Sequence, residues 1–149
     1  MNNADDSKLH HIVIVGGGAG GLELVTQLGD LLGKKKKARI TLVDMKLTHV
    51  WKPLLHEIAA GTMSVSEEEI NYYAHAAKHH YEFVLAKFED INPAEKTIQL
   101  SKVQQGKYES TQEQLQLSYD TLVLALGSVS NDFSTPGVYE HCHYLDSLQ

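Results

Sequence analysis

Cysteine occurs once in the 149 residues, at Cys142, and proline three times. A single thiol excludes an intramolecular disulfide framework and any dithiol chemistry within the chain. Positive charge is in deficit: 13 Lys and Arg against 19 Asp and Glu leave a net charge of −6. That balance argues against nucleic acid as a partner. Long apolar runs are missing too. Ile12–Val15 and Leu122–Leu126 are strand-sized, well short of the ~18–20 residues a membrane span needs. Met1–Lys8 is polar and acidic, without the apolar core of a signal peptide. What is present, unevenly, is glycine: five of the 11 stand in the six positions 16–21.

The residues around that cluster make a pattern. Residues 1–9 read as a disordered tail. His10–Val15 is a short β-branched run, uniformly apolar at its end, as a strand buried on both faces reads. After the glycines, Leu22, Val25, Leu28 and Leu32 recur at helical spacing, with Gly33 placed as a C′ glycine. Lys34–Lys37 then complements the negative helix end. Ile40–Val43 is a second buried strand, ending at Asp44. The first 44 residues therefore predict one βαβ unit with parallel strands. Further on, Ser66 with Glu67–Glu69 predicts a helix start, and the helix is expected over Glu67–His80. Strands are expected at Phe83–Phe88, Thr97–Val103, Gln114–Leu117 and Tyr119–Leu126, with turns at Asn92-Pro93 and Pro136-Gly137. The fold class is α/β: a Rossmann-like parallel sheet with a small antiparallel excursion after Phe83.

Gly16, Gly18 and Gly21 spell G-x-G-x-x-G between a buried strand and an amphipathic helix. Gly16 permits the tight turn, Gly18 lets backbone approach a pyrophosphate, and Gly21 lets helix and strands pack closely. The helix N-terminus, including Ala19 and Gly20, offers N–H groups to the phosphates. Asp44 stands where an acidic residue accepts the ribose hydroxyls of an adenosine, and Met45 follows it rather than an arginine that would take a 2′-phosphate. The fingerprint leaves NAD and FAD open.

The run His49-Val50-Trp51-Lys52-Pro53-Leu54-Leu55-His56-Glu57-Ile58-Ala59-Ala60-Gly61 resembles the segment after the second strand in bacterial type II NADH dehydrogenases. The resemblance extends to Tyr119–Ser128, Asn131–Phe133 and Thr135–Val138. Those enzymes are single-subunit, FAD-containing NADH:quinone oxidoreductases that pump no protons. The resemblance implies that the glycine motif and Asp44 hold FAD, that Lys52 and Pro53 lie near the flavin ring, that the strand around Phe88 meets the adenine side through its backbone, and that Ala125, Leu126 and Gly127 pack by the flavin diphosphate. It implies NADH and quinone as substrates, a peripheral place on the cytoplasmic side of the bacterial inner membrane, and leaves a homodimer open.

The chain also departs from that family. It has no second G-x-G-x-x-G for NADH and no later strand with a Gly-Asp pair. It reads as an incomplete FAD-binding domain over residues 10–130, with 131–149 leading toward an NADH-binding domain, soluble and inactive by itself. Related disulfide reductases face the flavin with a cysteine pair, and no cysteine lies between Asp44 and Gly61. A quinone acceptor fits that better, and a sulfide:quinone-type enzyme, which needs catalytic cysteines, fits less well. The alternative of another class is a non-catalytic module binding NAD or ADP-ribose.

Other constellations are weaker. His56 and Glu57 could form an acid–base pair, although helix-start packing and a surface carboxylate explain them better. His75 and His79 share a helix face at i, i+4, but no third ligand is placed, so no metal is expected.

Overall fold

The computed structural model describes residues 9–50, 55–62, 69–103, 114–128 and 130–143. Strand β1 (His10–Val15) leads into helix α1 (Ala19–Leu28), a π-helical turn (Gly29–Gly33) and strand β2 (Ala38–Asp44). A two-residue strand β3 (Thr48–His49), a short helix α2 (Leu55–Ala59) and a two-residue strand β4 (Ile70–Asn71) precede helix α3 (Tyr72–His79). Strands β5 (Glu82–Asn92), β6 (Thr97–Lys102), β7 (Gln114–Ser118) and β8 (Thr121–Leu124) follow, then a helical turn α4 (Val138–His141). Among the described residues the main sheet has six strands in the order β7-β6-β5-β2-β1-β8. The pairs β1–β2, β1–β8 and β2–β5 are parallel. The pairs β5–β6 and β6–β7 are antiparallel, the excursion expected from the sequence.

Strand alternation sorts the core into two layers. Ile14, Ile40 and Leu42 face α1 and α3, packing with Leu22, Val25, Tyr72, Ala76 and Tyr81. Val13, Val15 and Val43 face the other way and pack with Ala86, Ile98 and Leu100. So β1 is buried on both faces, with Val13 and Ile14 fully inaccessible. A β-bulge between Phe88 and Asp90 bends β5 where its pairing with β6 shifts register.

Several boundaries differ from the sequence reading for identifiable reasons. Gly33 does not end α1 in a left-handed cap. A Cβ there would overlap the His80 carbonyl, and one at Gly29 would overlap the His79 carbonyl. These two glycines let the end of α1 pack against the end of α3, and the π-helical turn carries the chain past that contact. Helix α3 begins at Tyr72, not Glu67: Asn71 caps it by accepting the Ala74 N–H at 3.2 Å. Of the expected Ser66 start, residues 63–68 lie outside the described residues, and Glu69 precedes β4 rather than sitting in a helix. The last strand is shorter than Tyr119–Leu126: Tyr119 donates to the Lys96 carbonyl, and pairing with β1 ends at Leu124. No described helix is long and apolar enough to cross a membrane.

Candidate nucleotide-binding site

The chain runs from β1 to β2 and β5 on one side, then returns to place β8 on the other side of β1. In open α/β sheets a crevice opens at such a switch, outside the carboxyl ends of the strands, and ligands bind there. The glycine cluster occupies that position.

Its backbone bonds can be followed peptide by peptide. Ala125 donates to the Val15 carbonyl at 2.7 Å, and Gly16 donates to the Val43 carbonyl at 2.8 Å. The loop is thus tied to β8 on one side and β2 on the other. Gly17 N–H donates to Asp44 Oδ2 at 2.6 Å. The Tyr72 hydroxyl donates to the Gly17 carbonyl at 2.5 Å. Leu22 N–H donates to the Gly18 carbonyl at 2.8 Å, the first bond of the helix. What remains are the N–H groups of Gly18, Ala19, Gly20 and the buried Gly21, which meet no acceptor among the described residues. Gly18, Ala19 and Gly20 are exposed and lie at the positive end of α1.

The glycines divide by what a side chain would meet. At Gly16, with φ +102°, a Cβ would overlap the Ala125 carbonyl. At Gly21 it would overlap the Gly16 carbonyl. At Gly17 it would overlap the Tyr72 hydroxyl. At Gly18 and Gly20 it would meet nothing within 4 Å. The first three are glycines because the protein is close. The fold gives no such reason for the other two, and a ligand lying on the backbone would.

Asp44 Oδ1 accepts the Lys46 N–H at 2.8 Å, so each carboxylate oxygen already holds one backbone donor. An ionised carboxylate has about four lone-pair sites, so acceptor capacity remains. His49 is buried against this corner, its ring 6.5 Å from that of Tyr72. Its Nε2 has no partner among the described residues. Burial lowers its proton affinity below the ordinary histidine value, while the Asp44 carboxylate and the Gly17 carbonyl pull the other way. Met45, Leu124 and Leu126 stand exposed at the strand ends.

The structure therefore brings Gly16, Gly18, Ala19, Gly20, Gly21, Asp44 and Ala125 together. Met45 follows directly on Asp44, and Leu126 and Gly127 continue from Ala125. Phe88 lies farther along β5, paired with Leu100, beyond the Asp44–Leu85 pair that ends the parallel register. Lys52, Pro53 and Trp51 lie outside the described residues. His56 and Glu57 sit on α2 with Nε2 and Oε1 3.8 Å apart, His56 exposed and Glu57 partly so. His75 and His79 stack at 4.3 Å, but their Nδ1 atoms are engaged by the Tyr81 hydroxyl and Asp30 Oδ2, each at 3.0 Å. Tyr72, Gly17 and His49 receive no site role from the sequence. Tyr72 is remote in sequence from the loop it touches, and no local pattern marks the contact.

A parallel sheet with its glycine turn at the switch point, followed by an acidic residue at the end of the second strand, defines a Rossmann-type dinucleotide-binding fold. The sequence match narrows this: residues 10–149 fit the family model described as pyridine nucleotide-disulphide oxidoreductase. The chain belongs to that family. It is 45% identical over 139 residues to the type II NADH:quinone oxidoreductase of Haemophilus influenzae, covering 93% of this chain and 31% of that protein. The structure of NDH2 from Plasmodium falciparum superposes with a TM-score of 0.74 at 22% identity, over 89% of this chain and 25% of that one. The sulfide:quinone oxidoreductase of Aquifex aeolicus superposes at 0.68 with 26% identity, over 88% and 27%. The chain thus spans between a quarter and a third of the length of these relatives. Despite the family's name, its one cysteine, Cys142, is free and exposed.

Proposed function

We propose that residues 10–130 hold FAD through its ADP half, and that the intact protein is an NADH:quinone oxidoreductase. The observation that carries this reading is the trio of N–H groups at Gly18, Ala19 and Gly20, open to solvent between Asp44 and Ala125. The residues present fit the group. A diphosphate needs converging donors with clear space before them, and the side-chain positions of Gly18 and Gly20 are clear. Asp44 has acceptor capacity for ribose hydroxyls. Met45 flanks the ribose, and Ala125, Leu126 and Gly127 wall the diphosphate. By resemblance, Lys52 and Pro53 serve the flavin ring and the Phe88 backbone serves the adenine.

When bound, FAD supplies the two-electron chemistry between NADH and quinone. This chain's residues bind and orient it. The glycines keep side chains off the phosphate surface, and Asp44 favours an unphosphorylated 2′-hydroxyl. His56 and Glu57 remain weak acid–base candidates, on residue type alone. The lone cysteine supports a quinone rather than a disulfide as acceptor, as does the 45% identity to the Haemophilus influenzae enzyme. A quinone is a membrane lipid, which favours a peripheral membrane site; the resemblance puts that site on the cytoplasmic face of a bacterial inner membrane and leaves a homodimer open.

The test is quinone-dependent NADH oxidation by the intact purified protein, with its cofactor released by denaturation and identified. FAD release with quinone-dependent turnover is expected. Turnover without quinone, or no flavin in an active preparation, overturns the reading.

A further inference from the structure

Tyr72 stands directly beneath the phosphate-binding backbone, although it belongs to α3 and is 55 positions from Gly17. Its place is fixed from several sides. Its N–H donates to the Leu47 carbonyl at 3.0 Å, and the residues just before it pair with Thr48 and His49 as β4 on β3. Its ring packs on Phe83, with centroids 4.9 Å apart, and the side chain is 2% exposed. Its hydroxyl reaches the Gly17 carbonyl.

That contact has a consequence through peptide geometry. No peptide bond among the described residues is cis. In a trans peptide the carbonyl and the following N–H point in opposite directions. A Gly17 carbonyl held inward by Tyr72 therefore turns the Gly18 N–H outward, into the crevice. We propose that Tyr72 is a positioning residue for phosphate binding: its hydroxyl fixes the 17–18 peptide so that the Gly18 N–H is presented to the diphosphate before the ligand arrives.

Two further observations agree. Gly17 is a glycine because a Cβ would strike the Tyr72 hydroxyl, so loop and tyrosine are fitted to each other. Burial, with the Asp44 carboxylate nearby, holds the hydroxyl protonated far above the ordinary tyrosine range, so it stays a donor. The preceding peptide is gripped independently, since Gly17 N–H goes to Asp44. Tyr72 thus acts on the phosphate and Asp44 on the ribose.

This inference rests on the nucleotide-site reading, and the two can fail separately. The experiment uses the intact protein freed of bound nucleotide. ADP and adenosine affinities are measured by their displacement of FAD, which reads this site and not the NADH site, for wild type and Tyr72→Phe, which keeps the ring and removes the hydroxyl. Tyr72→Phe is expected to weaken ADP about tenfold and adenosine less than twofold. A partly unfolded preparation weakens both ligands by the same factor, so the ADP-to-adenosine ratio isolates the positioning effect. A ratio unchanged from wild type overturns the role of Tyr72 while leaving the site intact. Wild-type protein that binds neither ADP nor FAD overturns the site itself.

Discussion

The Gly17 N–H donates to Asp44 Oδ2 at 2.6 Å, joining the phosphate loop to the end of β2 across 27 positions of chain. The acidic residue of the fingerprint therefore has a structural task besides the ribose contact proposed for it. Asp44→Ala removes both. Dinucleotide affinity is expected to fall by ~1–3 kcal/mol, and the melting temperature to fall with it because the Gly17 donor is orphaned. Asp44→Asn keeps an acceptor for Gly17 and restores stability more than affinity. Flavin titration beside a thermal melt checks both; unchanged affinity in both variants removes the ribose role.

The glycines separate into two experimental classes. Gly16→Ala and Gly21→Ala drive a Cβ into a backbone carbonyl and are expected to destabilise the fold by ~1–3 kcal/mol. Gly20→Ala meets open space inside a helix and is expected to leave the nucleotide-free protein as stable or up to ~1 kcal/mol more so. Gly18→Val keeps the sheet and abolishes FAD binding. Circular dichroism melts beside a flavin titration separate the classes. Stable, tight-binding Gly18→Val would mean that the pyrophosphate lies elsewhere.

The βαβ unit was legible because its signals are local: two apolar runs, a helical period and glycines in fixed register. β1 matches its expected bounds, His10–Val15. Asp44 was legible by its position after a strand. Gly29, Gly33 and Tyr72 were not, because their reasons lie in contacts with residues about 50 positions away. A glycine after a helical period reads as a cap from the sequence, whereas here it clears a path for another helix. The start of α3 was displaced for a related reason: the pairing of β3 with β4 claims Ile70 and Asn71, so Asn71 rather than Ser66 is the cap.

The other end of β1 carries a buried histidine with a predictable pH response. Arg39 donates to His11 Nδ1 at 2.7 Å, which assigns the proton to Nε2 and its bond to Thr41 Oγ1 at 2.8 Å. Burial first, and the Arg39 charge second, bring the His11 pKa down to about 4 from 6.5. Between those values the unfolded chain binds the extra proton and the folded chain does not, so stability falls with falling pH. The contribution is full above pH 6.5 and lost by about pH 4; it amounts to at most ~3 kcal/mol. His11→Gln is expected to flatten that slope in denaturant melts across this range. An unchanged slope contradicts the assignment.

His56 and Glu57 offer a contrast, since their 3.8 Å pair is exposed to solvent. Replacing both with alanine is expected to change folding stability and FAD affinity by less than ~0.5 kcal/mol. Stopped-flow NADH oxidation by the double variant then reads any acid–base role without interference from folding. A large drop in melting temperature would show instead that α2 depends on them.

FAD is the ligand proposed for the backbone between Asp44 and Ala125. The most direct measurement is a competition on the nucleotide-free intact protein among FAD, NADH and ADP-ribose, followed by flavin fluorescence and calorimetry. FAD is expected to bind most tightly, and Gly18→Val to abolish that binding. Preferential binding of NADH or ADP-ribose, with FAD ignored, would contradict it.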